Sequence, residues 1–372
     1  DTFSSRGLGD VYKRQPNEGT VNIIDAAVDP SDDVYLAIDF TGNFLFNPGE
    51  FSITSMRTPK GGANDIAVGK FDNAGNFVQS RGVIGLISNI ETTDTHFYIS
   101  GTTTGQSSLD WITGNNNGRI FPYGGSEVGF VSRYDFSFNW QPDEWKIVVE
   151  NENFVATNES VKGFSVDDNG NVYLGGYFNG DVLGMSASTP TGYVGKYDNT
   201  AVLQWIYPLT GSDEVRHIEA TSTGAYYSGY YNGIMNADPT GGAITLTSNG
   251  GQDIFLAEFS ANGEAATAFT IGGPNNDDAY FTSYNAVNNS FLIAGDYTGS
   301  TTLHDSDPAG QLASVGSTDA FIVQYESCAG VCPPPVALCQ DVTVQLSGGS
   351  ASITTADVDN GSSAGCGLAL SL

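Results

Sequence analysis

Two short segments recur five times each along this chain, out of phase with one another, and no other feature narrows its folding options as much. The first reads NDIAVGKFD (64–72), EVGFVSRYD (127–135), TGYVGKYD (191–198), QDIFLAEFS (252–260) and TDAFIVQYE (318–326). Its aligned aromatics Phe71, Tyr134, Tyr197, Phe259 and Tyr325 stand 63, 63, 62 and 66 residues apart. The second reads VYLAIDFTG (34–42), FYISGTTTG (97–105), VYLGGYFNG (172–180), YYSGYYNG (226–233) and FLIAGDYTG (291–299). A fixed period of this kind marks a repeat architecture, in which each unit buries its apolar faces against its neighbours.

Each unit reads as four strands, clearest in the third. There strand a is KGFSVD (162–167), strand b is VYLGGYF after the Asp168-Asn169-Gly170-Asn171 turn, strand c is TGYVGKYD, and strand d is VLQWIYPL (202–209). Asn-Gly and Asp-rich turns between β-branched and aromatic runs are hairpin signals, and no stretch sustains a helical period. Strand c carries aromatic pairs on one face, namely Phe130 with Tyr134, Tyr193 with Tyr197, Phe255 with Phe259 and Phe321 with Tyr325. Its other face carries Val194, Leu256 and Ile322. A sheet that is apolar on both faces must be covered on both. Four-stranded sheets stacked around an axis satisfy this, so the chain is expected to be all-β, a β-propeller of five blades, with a fifth blade that lacks its own strand d. The ring is expected to be open. The long b–c connections, 43–63, 106–126, 234–251 and 300–317, share one face with the d–a connections, and that face is the elaborated one.

Charge narrows the partners. Lys and Arg number 13 against 42 Asp and Glu, a net charge of −29, and no Lys or Arg follows Arg216, whereas fifteen acids do. Nucleic acid and anionic membrane surfaces need clustered cations, so neither is an expected partner. No apolar run reaches spanning length, so no membrane insertion is expected. Residues 1–15, DTFSSRGLGDVYKRQ, resemble a translated sequencing adapter, which predicts that they stand outside the fold and that the true N-terminus, with any export signal, is missing.

The strings DDNGNVYLGGYFNG (167–180), FNPGEFSITS (46–55), NADPTGGAITLTSNGGQDIFLAEFSANG (236–263) and IGGPNNDD (271–278) resemble the SBBP-type propeller repeats of Bacteroidetes secretomes. The resemblance covers about residues 20–326 of the chain. It implies a propeller over 16–327, an extracellular or cell-surface location and no catalytic residues. Unit two departs from the pattern, with TGQSSLDW where the others carry a Pro turn.

Composition changes at Cys328. Residues 328–338 form a Cys/Pro linker and 339–372, beginning CQDVTVQL, resemble the start of a β-sandwich module that stops mid-strand. Four cysteines allow three pairings. The family-like reading implies Cys328 with Cys332 and Cys339 with Cys366, hence an oxidising compartment. A monomer within a larger multidomain chain is expected.

Catalytic motifs are absent: there is no HExxH, GxSxG or Walker A loop. The histidines His96, His217 and His304 fall in different repeats and read as structural. Tyr226, Tyr227, Tyr230 and Tyr231 could stack sugars, but Tyr231 recurs as Phe40, Phe178 and Tyr297, which fits inter-blade packing. Carboxylates are the remaining candidates. Asp213, Glu214, Asp277 and Asp278 fall in d–a connections, and Glu50, Asp238, Asp305 and Asp307 in b–c loops. Grouped on one face they could bind Ca²⁺ weakly or pair as acid and base for glycoside cleavage, while the plainer reading makes them solvated turn residues. An enzyme should break the repeat symmetry with inward polar residues, whereas these units differ mostly in loop length. The expected function is therefore a non-enzymatic secreted or surface binding module for a glycan or protein, with a propeller glycoside hydrolase or polysaccharide lyase as the alternative.

Overall fold

The structure, a computed structural model, describes residues 21–326 apart from 41–43, 46–55, 58–64, 84–85, 104–106, 109–118, 121–126, 139–144, 151–157, 243, 286–289 and 304–310. Segments 1–15, 328–338 and 339–372, with all four cysteines and both expected disulfides, lie outside the described residues, as do Glu50, Asp305, Asp307 and His304.

The described residues are all β and contain no helix, so no helix is long and apolar enough to cross a membrane. The first sheet has the order β1 (Val21–Val28), β2 (Val34–Phe40), β5 (Asp65–Phe71), β6 (Phe77–Val83), with β3 (Phe44–Leu45) and β4 (Met56–Arg57) paired in its b–c connection. The second runs β7 (Leu86–Thr92), β8 (His96–Thr103), β11 (Val128–Asp135), β12 (Lys146–Val149), with β9 (Ser107–Ser108) paired to β10 (Arg119–Ile120). The third is β13 (Asn158–Val166), β14 (Val172–Val182), β15 (Met185–Tyr197), β16 (Leu203–Leu209). The fourth is β17 (Ser212–Ala220), β18 (Gly224–Asn236), β19 (Thr245–Ser260), β20 (Ala265–Ile271). The fifth has three strands, β21 (Asp277–Asn285), β22 (Ser290–Tyr297) and β25 (Asp319–Glu326), with β23 (Ser300–Thr302) paired to β24 (Gln311–Ala313). The sequence-based a-b-c-d order thus holds in four blades, and the fifth lacks strand d among the described residues.

The chain divides into two compact units, Asp1–Thr282 with Ala294–Phe321, and Ser283–Ile293 with Ile322–Leu372. The first unit is a propeller-like arrangement of blades, and everything that follows on packing concerns it alone. Blade one meets blade two through Tyr35 and Val68 against Phe97, Phe130, Tyr134 and Phe138. Blade two meets blade three through Tyr98, Val131 and Trp145 against Leu174, Phe178, Tyr193 and Tyr197. Blade three meets blade four through Tyr173, Val194 and Trp205 against Tyr227, Tyr231, Phe255 and Phe259. The aromatic pairs of strand c therefore pack backward onto the preceding blade, and Tyr231 is core, as its recurrence predicts. Each such side chain contributes about 1.5–3 kcal/mol by leaving water.

Two local devices explain why these sequences form blades. Across the strand b–strand c ladder a tyrosine faces a cation at the same register: Tyr35 opposite Lys70, Tyr98 opposite Arg133 and Tyr173 opposite Lys196. The ammonium groups of Lys70 and Lys196 each lie 5.0 Å from the tyrosine ring centroid, so these recurrent basic residues are spent on cross-strand packing. The turns are closed by aspartates. Asp167 Oδ1 accepts hydrogen bonds from Asn169 N and Asn171 N, both at 2.9 Å, and Gly170 takes φ +78° beside it. Asp72 and Asp198 repeat the arrangement in c–d turns.

Two expectations need correction. Ile322, aligned with the buried Val194 and Leu256, is 73% exposed, because no further sheet follows the fifth among the described residues. Strand a of the third blade begins at Asn158 instead of Lys162, which places Lys162 mid-strand. The long b–c connections are ordered hairpin extensions where they are described: β18 and β19 stay paired from Ile234 with Thr247 to Asn236 with Thr245.

Candidate functional site

Strand a of each blade lines one central cavity of about 640 Å³, and all the residues that line it belong to the first unit. One repeated defect supplies its lining. The pairing of strand a with strand b slips by one residue between Ile23 and Asp25, Ile87 and Asn89, Val161 and Gly163, and Val215 and His217. A β-bulge leaves the extra residue outside the ladder and re-aims its side chain. The four extra residues are Ile24, Ser88, Lys162 and Arg216, and all four line the cavity together with Tyr280, which aligns with Arg216 in the fifth repeat. The scaffold position is the same in every blade, but the chemistry differs: a hydrocarbon, a hydroxyl, two cations and a phenol. The expectation that the units differ mostly in loop length is therefore incomplete, since the repeat symmetry is also broken at the axis.

The two cations are held differently. Arg216 Nε lies 3.0 Å from Glu214 Oε1, and Nη1 lies 3.1 and 2.9 Å from the two oxygens of Asp278 on the next blade. Its guanidinium also stacks 4.5 Å from the centroid of Tyr230. Lys162 Nζ lies 5.5 Å from the ring centroid of Tyr177, and among the described residues no carboxylate stands within ion-pair distance of it. Three phenols around these cations each donate to a carboxylate: Tyr177 to Glu127 at 2.8 Å, Tyr230 to Glu214 at 3.4 Å and Tyr280 to Asp296 at 3.1 Å. Burial and the Glu127 carboxylate push the Tyr177 phenol up, so it stays a donor. At Tyr280 the hydrogen bond to Asp296 leads the same upward shift.

Toward the a–b end of the channel, carboxylates stitch one blade to the next. Asp25 Oδ2 accepts from Ile90 N at 2.9 Å, and Glu91 Oε1 accepts from Val166 N at 3.0 Å and Ser165 Oγ at 3.3 Å. Burial pushes the Glu91 carboxyl up to about 8, with Glu219 and Asp25 adding repulsion against the bond from Val166. His217 Nε2 lies 3.1 Å from Ala279 O, and burial lowers the pKa of the ring, so a neutral imidazole donates across the blade four–blade five contact. This is the structural role expected of it.

The structure separates the acids singled out from the sequence. Glu214 and Asp278 converge on Arg216 at the channel. Asp277 is buried, accepts from Gly273 N at 2.9 Å and is pushed up to about 6 by burial. Asp238 closes its own turn by accepting from Thr240 N at 3.0 Å, and Asp213 is exposed. Among the described residues no three His, Cys, Asp or Glu side chains form a group that could hold a metal ion. Tyr230 was among the tyrosines that could stack sugars, but Lys162, Arg216, Tyr177, Tyr280 and Glu127 were not legible as a site from the sequence, although Lys162 and Arg216 do occupy matching positions upstream of the VYLGGYF and YYSGYYNG strands. A second cavity of about 790 Å³ lies among the a–b turns of blades one to three. Three of its charged groups are engaged in structure: Asp29 pairs with Lys70 at 3.2 Å, Asp167 closes its turn, and Arg133 lies 4.9 Å from Trp145.

Removal of the Arg216 guanidinium should leave Glu214 and Asp278 partly buried without a counter-charge. Arg216→Met is expected to cost about 3 kcal/mol in urea denaturation, and Arg216→Lys less, because the ammonium keeps the charge and loses the fork. Equal losses from the two variants would show that only the planar geometry matters.

Fold and channel together define a β-propeller with a polar axial cavity. No protein-family model matches the chain, and no curated protein matches it. Among solved structures, the crystal structure of polysaccharide lyase Uly1 is similar at 8% identity and a TM-score of 0.38, covering 80% of this chain and 56% of that one. The chain thus spans little more than half the length of that structure, and a likeness of this degree carries no argument about chemistry.

Proposed function

We propose that the chain is a non-catalytic binding module that receives its ligand at the axial channel. The observation that supports this is the convergence of four bulged residues and the aligned Tyr280, of four chemical kinds, on a single cavity of ligand size. The groups around it are mostly held by one another, as suits a preformed recognition surface. The SBBP-like strings and the acidic composition support a secreted or cell-surface protein of that type, with the segment after Cys328 as a separate module. Incubation of the full chain with a panel of soluble polysaccharides should retard its migration in affinity electrophoresis and generate no new chain ends, and Tyr280→Ala should abolish the retardation.

Two observations favour a second reading, a polysaccharide-cleaving enzyme. The inward polar residues Ser88, Lys162, Arg216 and Tyr280 break the repeat symmetry at the axis, the feature expected of an enzyme. Glu91 is a carboxyl with an upward-shifted pKa in a cavity that also holds Asp25 and Glu219, which is how a general acid is prepared. Its Oε1, however, accepts two hydrogen bonds that tie blade two to blade three, so its first role is structural. New reducing ends or unsaturated products that vanish in Glu91→Gln would replace the binding reading with the enzymatic one.

A further inference from the structure

We propose that the channel ligand is an uncharged carbohydrate, stacked on Tyr280 and hydrogen-bonded by Lys162. This rests on the reading of the channel as the ligand site and goes on to specify what the site takes.

Three observations point the same way. Tyr280 and Phe281 both line the cavity, yet they are 59% and 52% exposed, so their rings are open to the cavity and to solvent. The Tyr280 ring is also oriented, because its hydroxyl is tied to Asp296 at 3.1 Å. A fixed, exposed aromatic face matches the C–H face of a pyranose, which is apolar on the faces and polar at the edges. Next, Lys162 is the cation of the lining with no acid partner among the described residues, so its N–H donors can serve a neutral acceptor such as a hydroxyl or ring oxygen. Carboxylates and phenol oxygens around it supply acceptors for the hydroxyl protons of the same ligand, as a polyol requires.

Charge then selects among carbohydrates. The lining holds Asp25, Glu214 and Glu219 against Lys162 and Arg216, and Arg216 is already matched by two carboxylates. Asp278 and Asp296 add further acids in contact with the lining residues Arg216 and Tyr280. A uronate or sulfate group would enter against this field with a single unmatched ammonium to receive it, and like-charge juxtaposition is a strong discriminator. An uncharged sugar meets no such opposition.

The test uses the full chain on an array that carries uncharged gluco-, xylo- and manno-oligosaccharides beside uronate- and sulfate-bearing ones, followed by calorimetric titration of the best binder. Binding should be confined to uncharged glycans, and Tyr280→Ala and Lys162→Met should each weaken it by about tenfold or more, with thermal unfolding used to confirm that both variants fold. Selective binding of acidic glycans that is lost in Lys162→Met would overturn the uncharged class and leave the channel as the site. Glycan binding unchanged in both folded variants would overturn the inference and the channel reading together. No glycan binding, alongside capture of a displayed peptide that Lys162→Met abolishes, would replace carbohydrate with peptide at the same site.

Discussion

Glu91→Gln should make the protein more stable above pH 8 and leave it nearly unchanged at pH 5. The Glu91 carboxyl, pushed up to about 8 in the fold from an ordinary 4.5, keeps a proton in the folded chain that the unfolded chain releases near pH 4.5. Between those two values the folded state binds more protons than the unfolded one, so this residue's contribution to stability falls as pH rises, and it levels off above about 8. One pKa unit is worth about 1.36 kcal/mol, which puts the loss across the window on the order of 2–4 kcal/mol after allowance for relaxation of the site. Gln keeps the acceptor for Val166 N and cannot ionise beside Asp25 and Glu219. Urea denaturation of both proteins at pH 5, 7 and 9 should give curves that diverge as pH rises. Parallel stability profiles would show that Glu91 is ionised throughout and that the channel is wetter than its packing implies.

Gly229→Ala is the second large effect. A methyl group there would lie 2.0 Å from Glu214 O and 2.9 Å from Val215 Cα, backbone atoms of the strand that carries the bulge. The same contact recurs at Gly176 against Ser160 O at 1.8 Å, at Gly101 against Leu86 O at 2.0 Å and at Gly295 against Asp278 O at 2.1 Å. In these blades strand a lies this close because strand b offers no Cβ, whereas blade one keeps the same bulge with Ile38 at that position. Forcing the strands apart should cost about 3 kcal/mol and carry Arg216 away from Asp278, so loss of ligand retention should accompany the fall in stability. Ser228→Ala, one residue away, removes a buried hydroxyl that has no hydrogen-bond partner and should change stability by less than about 1 kcal/mol. Equal effects from the two substitutions would mean that the glycine contact can relax at no cost.

The same glycine shows how far the sequence could be read. Its recurrence in YISG, LGG, YSG and IAG was visible and helped fix the period, and with it the blades and their order. Why it must be glycine was not visible, because the reason lies on another strand. The channel escaped for a related cause. Period-two alternation assigns faces along a regular strand, and a bulge shifts it by one residue, so the sequence of strand a does not assign Lys162 or Arg216 to a face. The acids were legible as a group because Asp and Glu recur at d–a junctions. Their fates were not: Glu214 and Asp278 meet Arg216, whereas Asp277 and Asp238 fold back on their own turns. Telling these apart requires knowing which carboxylate has a backbone N–H within reach. The tyrosines divided in the same way: neighbours in sequence, Tyr231 enters the inter-blade core and Tyr230, on the opposite face of the strand, stacks with Arg216, as alternation along a strand demands.

The bulge has a consequence for how such a protein can change. A bulged side chain stands outside the ladder between strand a and strand b, so this position can carry different chemistry without a change of register. Ile24, Ser88, Lys162, Arg216 and Tyr280 are in that sense one cavity-lining position written five times, with Ile24 constrained by the core beside it, Ser88 by its bond to Val161 O and Arg216 by its two acids. A combinatorial library restricted to these five codons would sample the recognition chemistry of the axis while holding the scaffold constant. Selection from it would report how much of the binding specificity resides in five side chains.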